Sequence, residues 1–209
     1  MNRFEWILGG LLVVLLVIVG GLAFMLWYRP AAPEMVIQPA EALLEGGQTA
    51  LSALAAASNQ AKGWQPDAQL LTATATWSAQ DGRSYSSGAA SWAFTYYSPG
   101  ETAVAQISVV ENTPSPPLVS QADIPLTPMD ISGGWKIDSP QAVTQIMENG
   151  GADFLSNKSS TSISLSLNTV GGNGRMEWLV SLFDEQSEDF IAMRLDATSG
   201  EVLEIVQNP

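Results

Sequence analysis

The stretch RMEWLVSLFDEQSEDFIAMRLDATSGEVLEIVQ, residues 175–207, decides the fold because it holds three strand patterns separated by two turn signals. Within each pattern apolar residues alternate with others or β-branched residues dominate, which is typical of strands. Strands joined by short turns become antiparallel neighbours in a sheet. The predicted strands are residues 175–183, 189–197 and 201–207, with a fourth before them at 159–168.

A helix is predicted immediately upstream of these strands. Asp138 or Ser139 can cap its first turn, and Pro140 suits a first-turn position because it lacks only an N–H that would have no partner there. The helix is expected to continue to Gly150-Gly151. Helix and strands together predict one α+β unit over residues 137–209, in which the helix covers an apolar face of the sheet.

The preceding part of the chain shows the same order of elements. Residues 41–62 are rich in alanine and leucine, which favours a helix. A proline-rich connection, residues 111–136, separates this first unit (residues 40–110) from the second and cannot form a long helix or a central strand. The strands predicted in the first unit are residues 70–77, 90–98 and 102–110.

An internal repeat is indicated by a shift of 86 residues, which lays the first unit over the second without a gap. The shift places Trp92 on Trp178 and Asp67 on Asp153, and most apolar positions fall on apolar positions. Alternating strands match by chance fairly often because their period is two. The two matching landmarks nevertheless favour a duplication, so two tandem helix-on-antiparallel-sheet units are expected.

The second unit resembles a PepSY-type domain over residues 137–207. Three features carry the resemblance: a helix that contains an alanine, Trp178 at the opening of a strand, and the turn D-A-x-x-G-E-V from Asp196 to Val202. In that turn Asp196 can bond its own backbone and Gly200 can adopt a positive φ. The first unit departs from the pattern, since its matching turn, VENTPSP, lacks the aspartate and the glycine.

The resemblance implies an extracytoplasmic, often membrane-linked module of helix-on-sheet form. Members of the family are often described as regulators or inhibitors of proteases, or as accessory regions of envelope proteins, and they share no catalytic residues. An inhibitory role for this chain would rest on analogy of fold alone.

A membrane anchor is predicted at residues 6–28, where 23 residues carry no charge. As a helix they would span about 34 Å, enough for the hydrocarbon core. A short tail (residues 1–5) precedes this segment and a proline-containing spacer (residues 29–39) follows it. The charge tally slightly favours a cytoplasmic N-terminus and an extracytoplasmic body in the cell membrane. The candidates for contact with a partner helix are Gly9, Gly10, Gly20 and Gly21.

Composition excludes several classes of function. With 21 acidic and 8 basic residues the net charge is −13, which disfavours nucleic acid as a partner and anionic lipid headgroups as a docking surface. The absence of cysteine and histidine removes thiolate chemistry, the commonest zinc ligand and the usual base near neutral pH. No cofactor is predicted.

Four carboxylates lie close together in FDEQSEDF, residues 183–190, and are the only candidate metal ligands: Asp184, Glu185, Glu188 and Asp189. Calcium needs six to eight oxygens in a closed arrangement, whereas the tip of a hairpin turns its side chains outward. The favoured interpretation is a solvated turn. Serine–lysine pairs can be drawn with Lys62, Lys136 or Lys158, but no spacing singles one out, so no catalytic residue is predicted.

The alternating aromatic residues Trp92, Phe94 and Tyr96 share one face of a predicted strand. They form either the core under a helix or a binding face for a partner. The function expected from the sequence is therefore non-enzymatic binding of another protein by a membrane-anchored extracytoplasmic body, with regulation or inhibition of an envelope protease as one version. The alternative is an accessory subunit of a respiratory, photosynthetic or other membrane complex, docked through the anchor.

Overall fold

The computed structural model describes residues 47–79, 88–123, 126–156, 158, 160–170 and 175–208, all of which fall in one compact unit, Ala40–Pro209. Across these ranges no helix has both the length and the apolar character needed to cross a membrane. The anchor predicted at residues 6–28 and its four glycines lie outside the described residues.

The elements follow the predicted order closely, and most strand ends agree with the prediction within two residues. The helices are α1 (Ala50–Trp64), the single turn α2 (Ile131–Gly134), α3 (Ser139–Ile146) and α4 (Ala152–Ser156). The strands are β1 (Gln69–Ala79), β2 (Ser91–Ser98), β3 (Ala103–Val110), β4 (Thr113–Pro114), β5 (Leu118–Gln121), β6 (Thr161–Val170), β7 (Arg175–Asp184), β8 (Phe190–Asp196) and β9 (Val202–Asn208).

The expectation of two tandem units, each with its own sheet, is wrong. In the described part of the chain, nine strands form one antiparallel sheet in the order β4-β3-β2-β1-β6-β7-β8-β9, with β5 also paired to β3. The two halves join where β1 pairs with β6 from Ala73↔Leu167 to Ala79↔Thr161. The physical reason is that the first strand of each half would otherwise leave an open edge, and pairing the two satisfies both rows of backbone groups.

The helices lie on one face of this sheet. Every second residue of β6 points toward them and is buried, as Ile163, Leu165 and Leu167 show, which is the period-two alternation expected of a half-covered sheet. In α1 the buried residues are all alanines, spaced three or four apart along one stripe. These small side chains let α1 approach the bulky aromatic residues of β2. The alanines are Ala50, Ala53, Ala57 and Ala61.

The predicted cap of α3 is confirmed. Asp138 is the N-cap residue, it forms a capping box with Gln141, and Pro140 lies in the first turn. Asp138 Oδ1 also accepts a hydrogen bond from Leu51 N–H at 3.1 Å, so the same carboxylate oxygen caps the start of α1. The starts of the two helices are thereby tied together.

The helix does not run unbroken to Gly150-Gly151 as predicted. It ends at Ile146, passes through a wide turn over Met147–Gly151, and resumes as α4. Gly150 has φ +108°, a left-handed conformation that side-chain-bearing residues rarely adopt. As a result Asp153 lies within α4, whereas its counterpart Asp67 follows the end of α1.

Among its described residues, the proline-rich connection contributes short edge strands and one helical turn. Both β4 and β5 pair with β3, at opposite ends of it. This agrees with the prediction that the segment cannot supply a central strand.

Candidate functional site

The four acidic residues predicted as candidate metal ligands lie in the β7–β8 turn and at its two ends. Asp184 N–H donates to Asp189 O at 2.9 Å and Glu188 N–H donates to Asp184 O at 3.0 Å, with Glu188 at φ 59°. The β2–β3 turn has its own left-handed residue, Thr102 at φ 49°, and this residue lies 86 positions earlier. The two hairpins therefore turn in a similar way, while the duplication itself stays a prediction.

One of these four acids departs from the expectation of a solvated turn. Glu185 and Glu188 are exposed, but Asp184 is only 4% exposed. The ammonium of Lys158 contacts the Asp189 carboxylate and lies 3.7 Å from Asp184 Oδ2. A cation of the chain itself thus occupies the position between the two aspartates.

A metal ion is not accommodated by this arrangement. Among the described residues, no group of three or more acidic side chains is placed so that it could hold one. Asp184 Oδ1 is buried without a hydrogen-bond partner, but Glu185 and Glu188 are exposed. The cluster is a structural ion pair that closes the base of the turn.

The structure does single out one serine–lysine pair, since Lys158 Nζ lies 3.0 Å from Ser187 Oγ. A lysine that activates a serine must lose its proton, which requires a depressed pKa. Here the hydrogen bond to Asp189, followed by the charges of Asp189 and Asp184, raises the pKa of Lys158. The lysine therefore stays protonated at neutral pH and does not serve as a base for Ser187.

The predicted partner face lies in the core. Trp92, Phe94 and Tyr96 are 1%, 0% and 3% exposed on the helix-covered face of the sheet. Tyr96 Oη hydrogen-bonds Ser58 Oγ of α1 at 3.1 Å, and burial raises the pKa of Tyr96 to about 12. These aromatic residues hold α1 on the sheet and are not accessible to a partner.

The surface that a partner can reach is the opposite face of the sheet. On its β7–β9 side Leu179, Phe183 and Val206 are 43%, 40% and 47% exposed. In the strand register Phe183 lies opposite Phe190. Val206, two strands away on β9, lies level with the position midway between Leu179 and Phe183. We call these four residues the open-face patch.

The patch was missed in the sequence although its signal was present. Alternation along EWLVSLF puts Trp178, Val180 and Leu182 on the buried face, and the same alternation puts Leu179 and Phe183 on the other. Two large apolar residues on the solvent side of a strand are the informative exception. The exposure of these two residues was not predicted because nearly every position of the strand is apolar.

Charged side chains border the open-face patch. Arg194 donates to Glu177 Oε2 and Glu204 Oε2, each at 2.8 Å, and Arg194 is aligned with Leu179 in the register. Arg175 Nε donates to Asp196 Oδ2 at 2.9 Å. Hydrogen bonds to Glu177 first and Glu204 second raise the pKa of Arg194, so its guanidinium stays charged.

A shallow groove lies on the same face beside the β1–β2 pair. Its volume is about 150 Å³, and hydroxyl-bearing residues line much of it. Pockets for small organic ligands usually exceed about 300 Å³, so the groove is too small to define such a site. Its polar lining residues are Thr74, Thr76, Ser91 and Ser108.

Comparisons with known proteins leave the family open. No family model matches the chain, and no curated protein matches it. One solved structure from Clostridium difficile 630, described as a "putative lipoprotein", is similar with a TM-score of 0.47 and 12% sequence identity, covering 73% of this chain and 90% of that one. A likeness of this degree bears on neither function nor location.

Proposed function

We propose that the protein is a non-enzymatic, extracytoplasmic and membrane-associated protein that acts by binding another protein. The observation that carries the proposal is the open-face patch, in which large apolar side chains stand exposed on the sheet face that no described helix covers, and charged pairs border them on one side. Apolar surface with a polar rim is the usual composition of a protein interface. An envelope protease is the partner class that the PepSY resemblance implies.

The absence of an enzymatic activity is part of the proposal. The chain has no histidine and no cysteine, and Ser187, which accepts a hydrogen bond from Lys158, faces an ammonium whose pKa is raised. Nucleophilic catalysis needs an activating base beside the nucleophile. In this proposal the polar cluster around Lys158 stabilises the fold and takes no part in catalysis.

Membrane association rests on the uncharged apolar run of residues 6–28. The acidic body does not favour contact with anionic lipid, because like charges repel at the membrane surface. The alternative function, an accessory subunit docked through Gly9, Gly10, Gly20 and Gly21, depends on residues outside the described part of the chain.

Site-specific photo-crosslinking tests the proposal. A benzoyl-phenylalanine is placed at Leu179 or Phe183 of the full chain in its native membrane, and adducts are identified by mass spectrometry. Leu51, exposed to a similar degree on α1, is the matched control on the covered side. We expect a discrete protein adduct from the two open-face positions and none from Leu51. Equal labelling from all three positions, or no adduct from the open face, contradicts the proposal.

A further inference from the structure

The sheet has two outer edges, and one of them is poorly suited to pairing. There the outermost strand, β5, is only four residues long. Two prolines, Pro116 and Pro117, directly precede it, and Leu118 is 72% exposed. Short strands and nearby prolines are the usual devices that prevent an edge from pairing with another chain.

The other edge, β9, is longer and has no proline directly before it or within it. It runs for seven residues, Val202–Asn208, is followed by Pro209, and pairs with β8 from Phe190↔Asn208 to Leu195↔Val202, with one register shift between Glu204 and Val202. Among the described residues no strand pairs with its outer side. Ile205 and Val206 are exposed on opposite faces, so an added strand would find apolar contacts on both. Unpaired backbone groups beside such side chains are what β-strand addition uses.

Exposed carboxylates are spread along this edge. Glu201 precedes β9, Glu204 lies within it, and Glu188 lies at its far end, where Asn208 Nδ2 donates to Glu188 O at 3.5 Å. Glu201 and Glu204 are three residues apart in the sequence, and the register of β9 against β8 shifts between them, so they lie closer along the strand than a regular spacing would give. The nearest cation, Arg194, is already bonded to Glu177 and Glu204.

A second copy of the chain is a poor occupant of this edge. Each copy carries a net charge of −13, and antiparallel pairing of β9 with itself about Ile205 makes the two copies of Glu204 diagonal neighbours. Like charges across a strand pair are destabilising. An extended segment with lysine or arginine at alternate positions has the complementary charge.

We propose that β9 is a receptor edge that binds an extended basic segment of the partner protein as an additional strand. The inference rests on the proposed function, because it names the kind of partner segment that the binding protein takes. Backbone hydrogen bonds to β9 hold the segment, and Glu188, Glu201 and Glu204 select its charge.

Synthetic peptides test the edge without knowledge of the partner. The full chain in neutral detergent is titrated calorimetrically with acetylated and amidated Lys-Val-Lys-Val-Lys-Val-Lys. A peptide of equal charge that is N-methylated at alternate residues lacks the donors for strand pairing, and Glu-Val-Glu-Val-Glu-Val-Glu reverses the charge. We expect only the unmethylated basic peptide to bind, with slowed amide exchange in β9.

Two charge-matched variants complete the test. Glu188→Lys with Glu201→Lys is expected to weaken binding of the basic peptide about tenfold, since two cross-strand attractions become repulsions. Glu101→Lys with Glu111→Lys changes the net charge equally but lies at the two ends of β3, on the other side of the sheet from β9, and should leave binding unchanged. If the first variant fails to fold, amide exchange in the wild-type chain decides.

Three outcomes overturn the inference: no binding of the basic peptide, equal binding of its N-methylated form, or equal weakening by both variants. The last two would indicate attraction to the acidic surface in general. Open-face adducts in the crosslinking experiment, found together with any of these outcomes, would leave the proposed function standing and reject only the receptor edge.

Discussion

Two tryptophans at equivalent positions anchor the two halves of the sheet in the same way. Trp92 Nε1 donates to Gln48 O at 2.9 Å, and Trp178 Nε1 donates to Ile137 O at 2.8 Å. Each acceptor belongs to the residue just before a helix cap, so each tryptophan fixes the entry of its helix. The two rings touch edge to face with centroids 6.1 Å apart.

Replacing these tryptophans by phenylalanine should have unequal effects. Ile137 O keeps a second indole donor, Trp135 Nε1 at 3.0 Å, whereas Trp92 is the indole donor to Gln48 O. We expect Trp92→Phe to lower the free energy of unfolding by about 1 kcal/mol more than Trp178→Phe, because it removes the indole hydrogen bond at its helix entry altogether. Urea unfolding of both variants measures the difference, and equal losses would refute this explanation.

The Asp196 carboxylate should give stability that depends on pH. Burial alone would raise the pKa of Asp196, but hydrogen bonds from Ser199, Thr198 and Arg175 lower it overall. A lowered pKa stabilises the fold above the unfolded value of about 3.9, and this contribution is lost as the pH falls through the folded value.

Asp196→Asn should therefore be less stable than the wild type at pH 6, and the gap should close below about pH 4. Urea midpoints between pH 2.5 and pH 7 measure it, and Asp153→Asn on α4 controls for the change in net charge. A gap that stayed constant down to pH 2.5 would mean that ionisation of Asp196 is not its cause.

At the scale of elements, two glycines in helical segments should respond in opposite ways to a methyl group. Gly63 lies in the last turn of α1, and a Cβ added there would meet no atom within 4 Å, so Gly63→Ala should stabilise the protein by about 0.5–1 kcal/mol. Gly150→Ala should cost about 1–3 kcal/mol, because φ is +108° and the new Cβ would lie 3.2 Å from Ile191 Cδ1. Thermal unfolding of the pair checks both signs.

Elements with strong local signals could be predicted from the sequence, and those fixed by distant contacts could not. The Asp138 cap and the Asp196–Gly200 turn carry their own hydrogen-bonding chemistry, and the structure confirms both: Asp196 Oδ1 accepts from Thr198 N–H at 2.8 Å, and Gly200 has φ +79°. The break after Ile146 was missed because Met147 and Glu148, which follow directly, favour helix locally. Packing against β7 and β8 decides where the helix bends.

The candidate site shows the same limit. FDEQSEDF was correctly predicted as a turn, yet the burial of Asp184 depends on Lys158, which lies 26 residues away in sequence. No spacing rule links those positions, since the pair forms only once β6 and β7 are in register. The open-face patch, by contrast, follows from alternation within one strand and was within reach of the sequence.

At the scale of the whole molecule, the joined sheet predicts a single cooperative unfolding transition. Both halves share the β1–β6 pair and the Trp92–Trp178 contact, so neither can lose its structure alone. Tryptophan fluorescence and far-ultraviolet circular dichroism should give the same urea midpoint. Two separated transitions would contradict the shared sheet.

The fragment of residues 40–123 should remain unfolded when expressed alone. It contains α1 and β1–β5 but lacks β6, so one edge of β1 and part of its apolar face would be open to water. Full-length protein is the reference, and native-like circular dichroism of the fragment would show that the first half folds independently.

The central β1–β6 pair also has a consequence for biosynthesis. Its partners are 82 to 94 positions apart in sequence, and contacts of such separation form slowly. The ribosome releases β1 long before β6 has been synthesised. During that interval the nascent chain presents an alternating, threonine-rich ribbon that is able to pair with other chains. Growth at low temperature, or an excess of a chaperone that shields extended segments, should therefore raise the yield of soluble protein.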